Sequence, residues 1–335
     1  MGIGWLGVRV GVSAVVVGIV NAYTAIPSCI HRHRHYCDVS DHRGPRRHRH
    51  HDSGCVFWSA LTAQGGGTYR PFLEHGWSQL ESTGKLIPME ISSELTSNSV
   101  AAKGMPEGST VQISVQAMGP TSEDDDDNPI QFARSVLLET LPASSTINED
   151  DDDGISTAGI QVLNFVVFCR KVVWGVDLVS LPGDKHLLAL DLQPMTTTTD
   201  DDASSPFATS AWNGLLKEWH QQHVVDNEFE WGGDLPKEAR KFFSDYTLWT
   251  RMKGPESLPV IQTKLMEAFQ AHQELFLQHV IPNVTANDDA GTVNHQEEYL
   301  EYRRTNDPAR PMLRSLYGPE WTERLIDEIL FPKEL

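Results

Sequence analysis

Alternation of apolar and polar residues is the clearest signal in the chain. In Thr110–Ala117 (TVQISVQA), Val111, Ile113, Val115 and Ala117 fall on one side, the two-residue period of a half-buried strand. Ile130–Leu141 (IQFARSVLLETL) is a second strand candidate, and three apolar segments follow closely: IQVLNFVVF at 160–168, VVWGVDLVSL at 172–181 and HLLALDLQP at 186–194. Pro182-Gly183-Asp184-Lys185 has tight-turn composition and predicts a hairpin between the last two. Helical spacing flanks this block. Phe72, Leu73, Trp77 and Leu80 share a face of Pro71–Leu80. Further on, the spacing predicts helices over Phe207–Val224, Leu258–Val280, Val293–Thr305 and Pro319–Leu330, the last with Pro319 at its first position. In Leu258–Val280 the apolar face is Ile261, Leu265, Phe269, His272, Phe276 and His279 or Val280. No helical crossover separates the central strands. The expected class is therefore α+β, an antiparallel sheet with helices packed on it, and a doubly wound nucleotide fold is disfavoured.

The first 52 residues break this pattern. An apolar core of roughly ten residues within Val10–Val20 is too short to span a bilayer and suits a secretory signal. Val20-Asn21-Ala22 offers a cut before Tyr23. The following IHRHRHYCDVSDHRGPRRHRHH holds six arginines and seven of the chain's fourteen histidines with no period. A hydrophobic signal followed by an Arg-rich, acid-poor stretch resembles the two-part leader of plastid proteins in algae with a complex plastid. The expectation is a removed leader over 1–52 and a single domain over 53–335. The histidines lack a supporting shell of carboxylates or thiolates, so no metal site is expected there.

Charge narrows the function classes. The 335 residues carry a net charge of −19, and 13 of the 46 acids lie in three runs, Glu123–Asp127, Glu149–Asp153 and Asp200–Asp202. These read as solvated loop insertions, since the calcium-loop pattern with its distal Glu is missing. Such a chain repels a nucleic-acid backbone. Outside the leader no apolar stretch is long enough for a membrane helix. The four cysteines, Cys29, Cys37, Cys55 and Cys169, form no CxxC and no iron–sulfur spacing. Dinucleotide, P-loop, nucleophile-elbow and HExxH motifs are absent. Any redox chemistry must draw its electrons from a partner or from the substrate.

Two polar residues stand out because they interrupt otherwise apolar strands. They are Asn164 in VLNFVVF and Asp177 in GVDLV. Left unpaired inside the protein, each would cost about 1–3 kcal/mol, so each needs a partner or a ligand. A carboxyl between apolar neighbours disfavours its own charge and suits proton delivery, while a place at a sheet edge is the plainer alternative. Asp191 and Gln193 alternate on the next strand. Asp307, just before Pro308, has the local signature of a helix cap.

With these residues in view, HLLALDLQP, GGDLPKEARKFFSDYTLWTRM (232–252) and YRRTNDPARPMLRSLYGPEWTERLIDEILF (302–331) together resemble the ferredoxin-dependent bilin reductases, and most the 15,16-dihydrobiliverdin-forming subgroup. The resemblance covers residues 157–334 well and 65–156 loosely. It implies a three-layer α/β/α sandwich around a central antiparallel sheet. It implies biliverdin IXα as substrate, held between the sheet and the helices of one side. It implies no bound cofactor: ferredoxin supplies electrons singly, and carboxylates with water supply protons to radical intermediates. In the subgroup the C15=C16 bridge is reduced by two electrons, and the product passes to a second reductase. Carried over by position, Asp177 is the proton donor on the central strand and Asp307 the helix-side carboxylate. Asn164, His186, Gln193 and Arg251 are the substrate-binding residues. Asn164 stands where phycocyanobilin-forming relatives have histidine, so it can hold the bilin but not readily protonate it. The connection Phe168–Trp174 is shorter than the family's; the alternatives are a tighter join between the Asn164 and Asp177 strands and a loss of a few residues from the sequence. A four-electron phycoerythrobilin synthase, a phytochromobilin-type reductase and a non-catalytic bilin carrier are the alternatives. The mature protein is expected to be a monomer of the plastid stroma. Ferredoxins of plastids are acidic, so docking on this acidic chain calls for local positive charge. The cations at Lys237, Arg240, Lys241, Arg251, Lys253, Arg303, Arg304, Arg310 and Arg314 are the densest supply.

Overall fold

In a computed structural model, residues 67–121, 128–143, 159–195, 212–284 and 290–333 are described. The leader expected over 1–52 and the three acidic runs lie outside these residues. The frame is an antiparallel sheet of eight strands: β1 (Leu86–Pro88), β2 (Ser97–Ala101), β3 (Thr110–Pro120), β4 (Ile130–Leu141), β5 (Gln161–Cys169), β6 (Val172–Leu181), β7 (Lys185–Pro194) and β8 (Leu248–Lys253). Spatial order follows sequence order from β3 to β8, and both β1 and β2 pair with the far edge of β3. This is a meander, the outcome expected when apolar segments are separated only by short turns. β3 alternates buried and half-buried residues along its whole length, whereas β4 is buried on both faces through its middle. The β6–β7 hairpin turns at Pro182-Gly183-Asp184. Gly183 and Asp184 both take positive φ there, a conformation that glycine and aspartate tolerate best. The β5–β6 connection is shorter still: Cys169 pairs with Val172, leaving only Arg170 and Lys171 in the turn.

Helices cover both faces, giving the three-layer α/β/α sandwich. One outer layer holds α1 (Arg70–Ser82), α3 (Asn213–His220) and a long rod from Ser257 to Asn283 whose α-helical centre is α6 (Met266–Leu275). The Trp77 indole donates to Ser135 Oγ at 2.9 Å, fixing α1 on β4, and Gln273 donates to the Gly76 carbonyl, fixing α6 on α1. Gly76 is required at that crossing, because a β-carbon there would lie 2.3 Å from the Phe165 ring. Two further short helices are α2 (Ser93–Thr96) and α4 (Lys237–Arg240), and α5 (Ser257–Val260) opens the rod. The second outer layer is C-terminal: α7 (Ala290–Asn306), α8 (Arg310–Tyr317) and α9 (Pro319–Leu325), continued by a π-helical turn over Ile326–Leu330. Its Leu300, Leu313, Leu325 and Phe331 pack on Ile113, Val115, Val136, Val166 and Phe168 of the sheet. Each such side chain contributes about 1.5–3 kcal/mol by leaving water.

Candidate active site

Strand parity builds the site. In the β5–β6 hairpin Asn164 pairs directly with Asp177. β7 then sets Ala189 beside Asp177, Asp191 beside Gly175 and Gln193 beside Val173, and β8 sets Trp249 beside Ala189 and Arg251 beside Leu187. All of these share the sheet face that carries Val166, Phe168 and Val173, the face toward α7–α9. The C-terminal helices seal that face over β3, β4 and the near part of β5. Further along they leave it open: Val162, Asn164, Asp177, Val179, Trp249 and Arg251 are only partly buried. This partly open stretch of sheet face beside the helices forms a cleft with Val162, Val179 and Trp249 at its border and a polar centre.

Five side chains meet at the centre. Asp177, whose side chain is 38% exposed, accepts a hydrogen bond at Oδ1 from Asn164 Nδ2, and its Oδ2 lies 3.9 Å from Arg303 Nη2. The same Arg303 nitrogen lies 3.9 Å from Asp307 Oδ2. One guanidinium therefore stands between a carboxylate of the sheet and a carboxylate of the helical layer. The Asn164 Oδ1 accepts from Nη1 of Arg134, a fully buried arginine of β4. Arg303 reaches this place from the last turn of α7, with its guanidinium 5.0 Å from the Phe331 ring centroid. Asp307 follows α7 in the join to α8. Its Oδ1 accepts the Ala309 N–H at 2.7 Å while Oδ2 faces Arg303. It thus performs the local turn-capping role read from Asp-Pro and also faces the cleft centre.

Burial sets the protonation balance. It pushes the Asp307 carboxyl up from its ordinary range, against the pull of Arg303. Burial pushes Arg134 down to about 10, which leaves it a cation at neutral pH. Burial also works against the Arg303 cation, but Tyr299, Asp177 and Asp307 outweigh it and raise its pKa. Asp177 is not surrounded by apolar groups as the strand context led one to expect. Its neighbours across the face are an amide and a guanidinium, because parity brings together the residues that interrupt each strand.

The remaining sequence-predicted residues divide. Arg251 is on the cleft face, its guanidinium 5.5 Å from the Trp249 ring. Gln193 is on the same face but buried, and its Oε1 has no hydrogen-bond partner among the described residues. His186 is not on this face. Its alternate, Leu187, points to the cleft side, so His186 points to the opposite layer. There Nδ1 shares a 2.8 Å hydrogen bond with Ser180 Oγ, which in turn bonds Tyr69 of α1. Its expected place along the bilin gives way to a place in this core relay. Asp191 shares the cleft face but is fully engaged: Ser244 N–H and Oγ–H bond it at 3.0 and 2.5 Å, and burial raises its carboxyl to about 6. The expected basic patch is also redistributed. Arg303 is interior, while Arg240, Lys241, Arg304, Arg310 and Arg314 pair with Asp245, Glu298, Glu301 and Glu323. Arg134 and Arg303 are the central groups whose roles the sequence did not disclose. Arg134 carries the same signal as Asn164 and Asp177, a polar residue inside an apolar strand.

The family model described as ferredoxin-dependent bilin reductase matches residues 156–332. Phycoerythrobilin:ferredoxin oxidoreductase of Nostoc punctiforme is 34% identical over 274 residues, covering 79% of this chain and 93% of the relative. The chain belongs to the ferredoxin-dependent bilin reductases. A relative of the same name from Gloeobacter violaceus is 42% identical over 182 residues, covering 52% of this reductase and 69% of the relative. Among solved structures, tomato phytochromobilin synthase in complex with biliverdin matches with a TM-score of 0.58 and 18% identity, over 78% of the reductase and 82% of that chain. That likeness confirms the sandwich fold. The family is the one the sequence blocks resemble. Both relatives are named for phycoerythrobilin, and their names do not confirm the 15,16-dihydrobiliverdin step.

Proposed function

We propose that this reductase holds a linear tetrapyrrole in the cleft between β5–β8 and the C-terminal helices and reduces it with ferredoxin electrons in the formation of phycoerythrobilin. The observation that carries the reading is the convergence of Asp177 and Asp307, from opposite layers, on one arginine in an open cleft. Each two-electron reduction of a bilin consumes two electrons, delivered singly by ferredoxin, and two protons. Asp177 and Asp307 are the proton donors, and Arg303 stabilises whichever carboxylate is left ionised. Asn164 holds Asp177 through its amide Nδ2. The relatives' printed name supports phycoerythrobilin as the bilin, and the tomato enzyme shows that this fold accepts biliverdin. The resemblance of three sequence blocks supports a second reading, reduction of biliverdin IXα at C15=C16 to 15,16-dihydrobiliverdin for a later reductase. The leader adds a plastid location to either.

The test is an anaerobic assay with reduced ferredoxin, offering biliverdin and 15,16-dihydrobiliverdin separately and identifying products by absorption and chromatography. Phycoerythrobilin from either substrate supports the first reading. Biliverdin conversion that stops at the 15,16-dihydro product supports the second. Failure to consume any bilin overturns both.

A further inference from the structure

Arg134 sits in the middle of β4, on the cleft face, with no exposed surface. Its Nε donates to the Leu330 carbonyl at 2.9 Å, its Nη1 donates to Asn164 Oδ1, and its guanidinium lies 5.3 Å from the Phe331 ring centroid. A guanidinium only donates hydrogen bonds. It therefore dictates which end of the Asn164 amide it meets: Oδ1 must face Arg134, and Nδ2 must face Asp177. Without that constraint the two ends of the amide are nearly the same shape, and Asn164 can turn Oδ1 toward a protonated Asp177. With it, Asp177 Oδ1 is committed as an acceptor. A proton on Asp177 must then reside on Oδ2, the oxygen that faces Arg303.

We propose that Arg134 is a positioning residue for bilin reduction, acting through Asn164 to keep Asp177 Oδ1 an acceptor and Oδ2 the oxygen that carries and releases the proton. The proposal rests on the reading of Asp177 as a proton donor. The other charged or titratable groups around Asp177 are Arg303, Tyr299 and Asp307 from α7 and the join after it, and Asp191 from β7; β6 itself carries no other. All remain in place when position 134 is changed, and because the Arg134 charge also acts on Asp177 directly, the Arg134–Asn164 link is read from the non-additivity of the two substitutions. Arg134 thus ties Leu330 of the C-terminal layer and Asn164 of β5 to one guanidinium, while its Nη2 has no hydrogen-bond partner among the described residues.

The test uses the full chain labelled with ¹³Cγ-aspartate, the Asp177 signal being assigned by its loss in Asp177→Asn. Carboxyl titration is followed without bilin in the wild type, Arg134→Met, Arg134→Lys and Asn164→Ala. Removal of the donor favours the protonated carboxyl, so the Asp177 midpoint should move upward in Arg134→Met and in Asn164→Ala. The double variant should move no further than the larger single one, and Arg134→Lys should restore most of the effect. In turnover assays, Arg134→Met should lower kcat by about 10²-fold, the loss expected for a reacting group displaced by about 1 Å, with bilin affinity retained. A wild-type Asp177 titration in folded Arg134→Met and in Asn164→Ala would overturn the proposal. Should Arg134→Met fail to fold, Asn164→Ala decides, because Asn164 is partly exposed and, unlike Arg134, is not fully enclosed in the core. The titration needs no substrate. An inactive wild type would therefore sink the proposed function while leaving this link independently measured.

Discussion

Asp307 divides its carboxylate between two tasks, and substitution can separate them. Asn at 307 keeps an oxygen for the Ala309 N–H but removes the charge opposite Arg303. Asp307→Asn should melt close to the wild type and lose turnover. Asp307→Ala should lose turnover and also about 0.5–2 kcal/mol of stability. Equal activity in Asp307→Asn and the wild type would reduce Asp307 to a cap. Asp191 offers a pH test of a different kind. Its carboxyl is raised to about 6 by burial, so the protonated form is the one the folded state favours. The stability it contributes is complete below the unfolded pKa of about 4 and declines as pH rises through about 6. Thermal melts from pH 4 to 7 should show the wild type losing stability relative to Asp191→Asn; parallel curves would contradict this. At this scale, Asn164 and Asp177 are legible in sequence because a polar residue inside an apolar strand demands a partner. Arg134 breaks IQFARSVLL in the same way, but its meaning depends on register with a strand 30 residues further on. His186 misleads because HLLALDLQP is apolar on both faces, and parity alone does not say which face holds the cleft. Arg303 reads as one more surface cation because α7 shows no clear apolar stripe.

The β5–β6 hairpin is the element on which the site depends most. Its turn is only Arg170 and Lys171, yet Asn164 and Asp177 still pair in register. The short connection therefore preserves the geometry: the pair is fixed by the strand ladder, several residues from the turn. Insertion of Gly-Ser between Arg170 and Lys171 should cost well under 1 kcal/mol, since loop-closure entropy grows slowly with length, and should leave turnover unchanged. A large loss of activity in a protein that melts normally would show that the tight turn itself tunes the site. Element positions were legible wherever a period ran long enough: β3 through β7, α1 and the long helical rod. In that rod the buried residues Ile261, Leu265, Phe269, His272, Phe276 and Val280 are mostly four apart. Such spacing drifts around a regular α-helix, and the π-helical turns at Ile261–Leu265 and Phe276–Val280 absorb the drift. β1, β2 and α2 were not legible, because segments of three to five residues carry too little period and depend on the neighbouring edge of β3.

At the scale of the whole molecule, the meander supplies Asp177 and the C-terminal layer supplies Asp307 and Arg303, so the site exists only when the sandwich is closed. Phe331 bears on that closure: it is buried, and both site arginines lie within about 5 Å of its ring. Phe331→Ala should cost about 3–5 kcal/mol and impair turnover more than Phe331→Leu does, by melting and single-turnover assays. The resemblance made the sandwich and the placing of the two carboxylates legible; the arginine between them required the packed helices. Ferredoxin meets a chain of net charge −19 whose surface arginines are largely paired, so exposed cations such as Lys237 and Lys253 are the candidates for steering it. Ferredoxin-dependent turnover should weaken as salt rises, and charge reversal at these two lysines should raise the ferredoxin requirement without changing bilin affinity. The central claim is that this cleft reduces a bilin with protons from its own carboxylates. Anaerobic single turnover of Asp177→Asn with bilin and reduced ferredoxin tests it most directly. The account predicts bilin bound at wild-type affinity, accumulation of a one-electron-reduced radical and a loss of about 10²–10⁴-fold in product formation; product formed at the wild-type rate would contradict it.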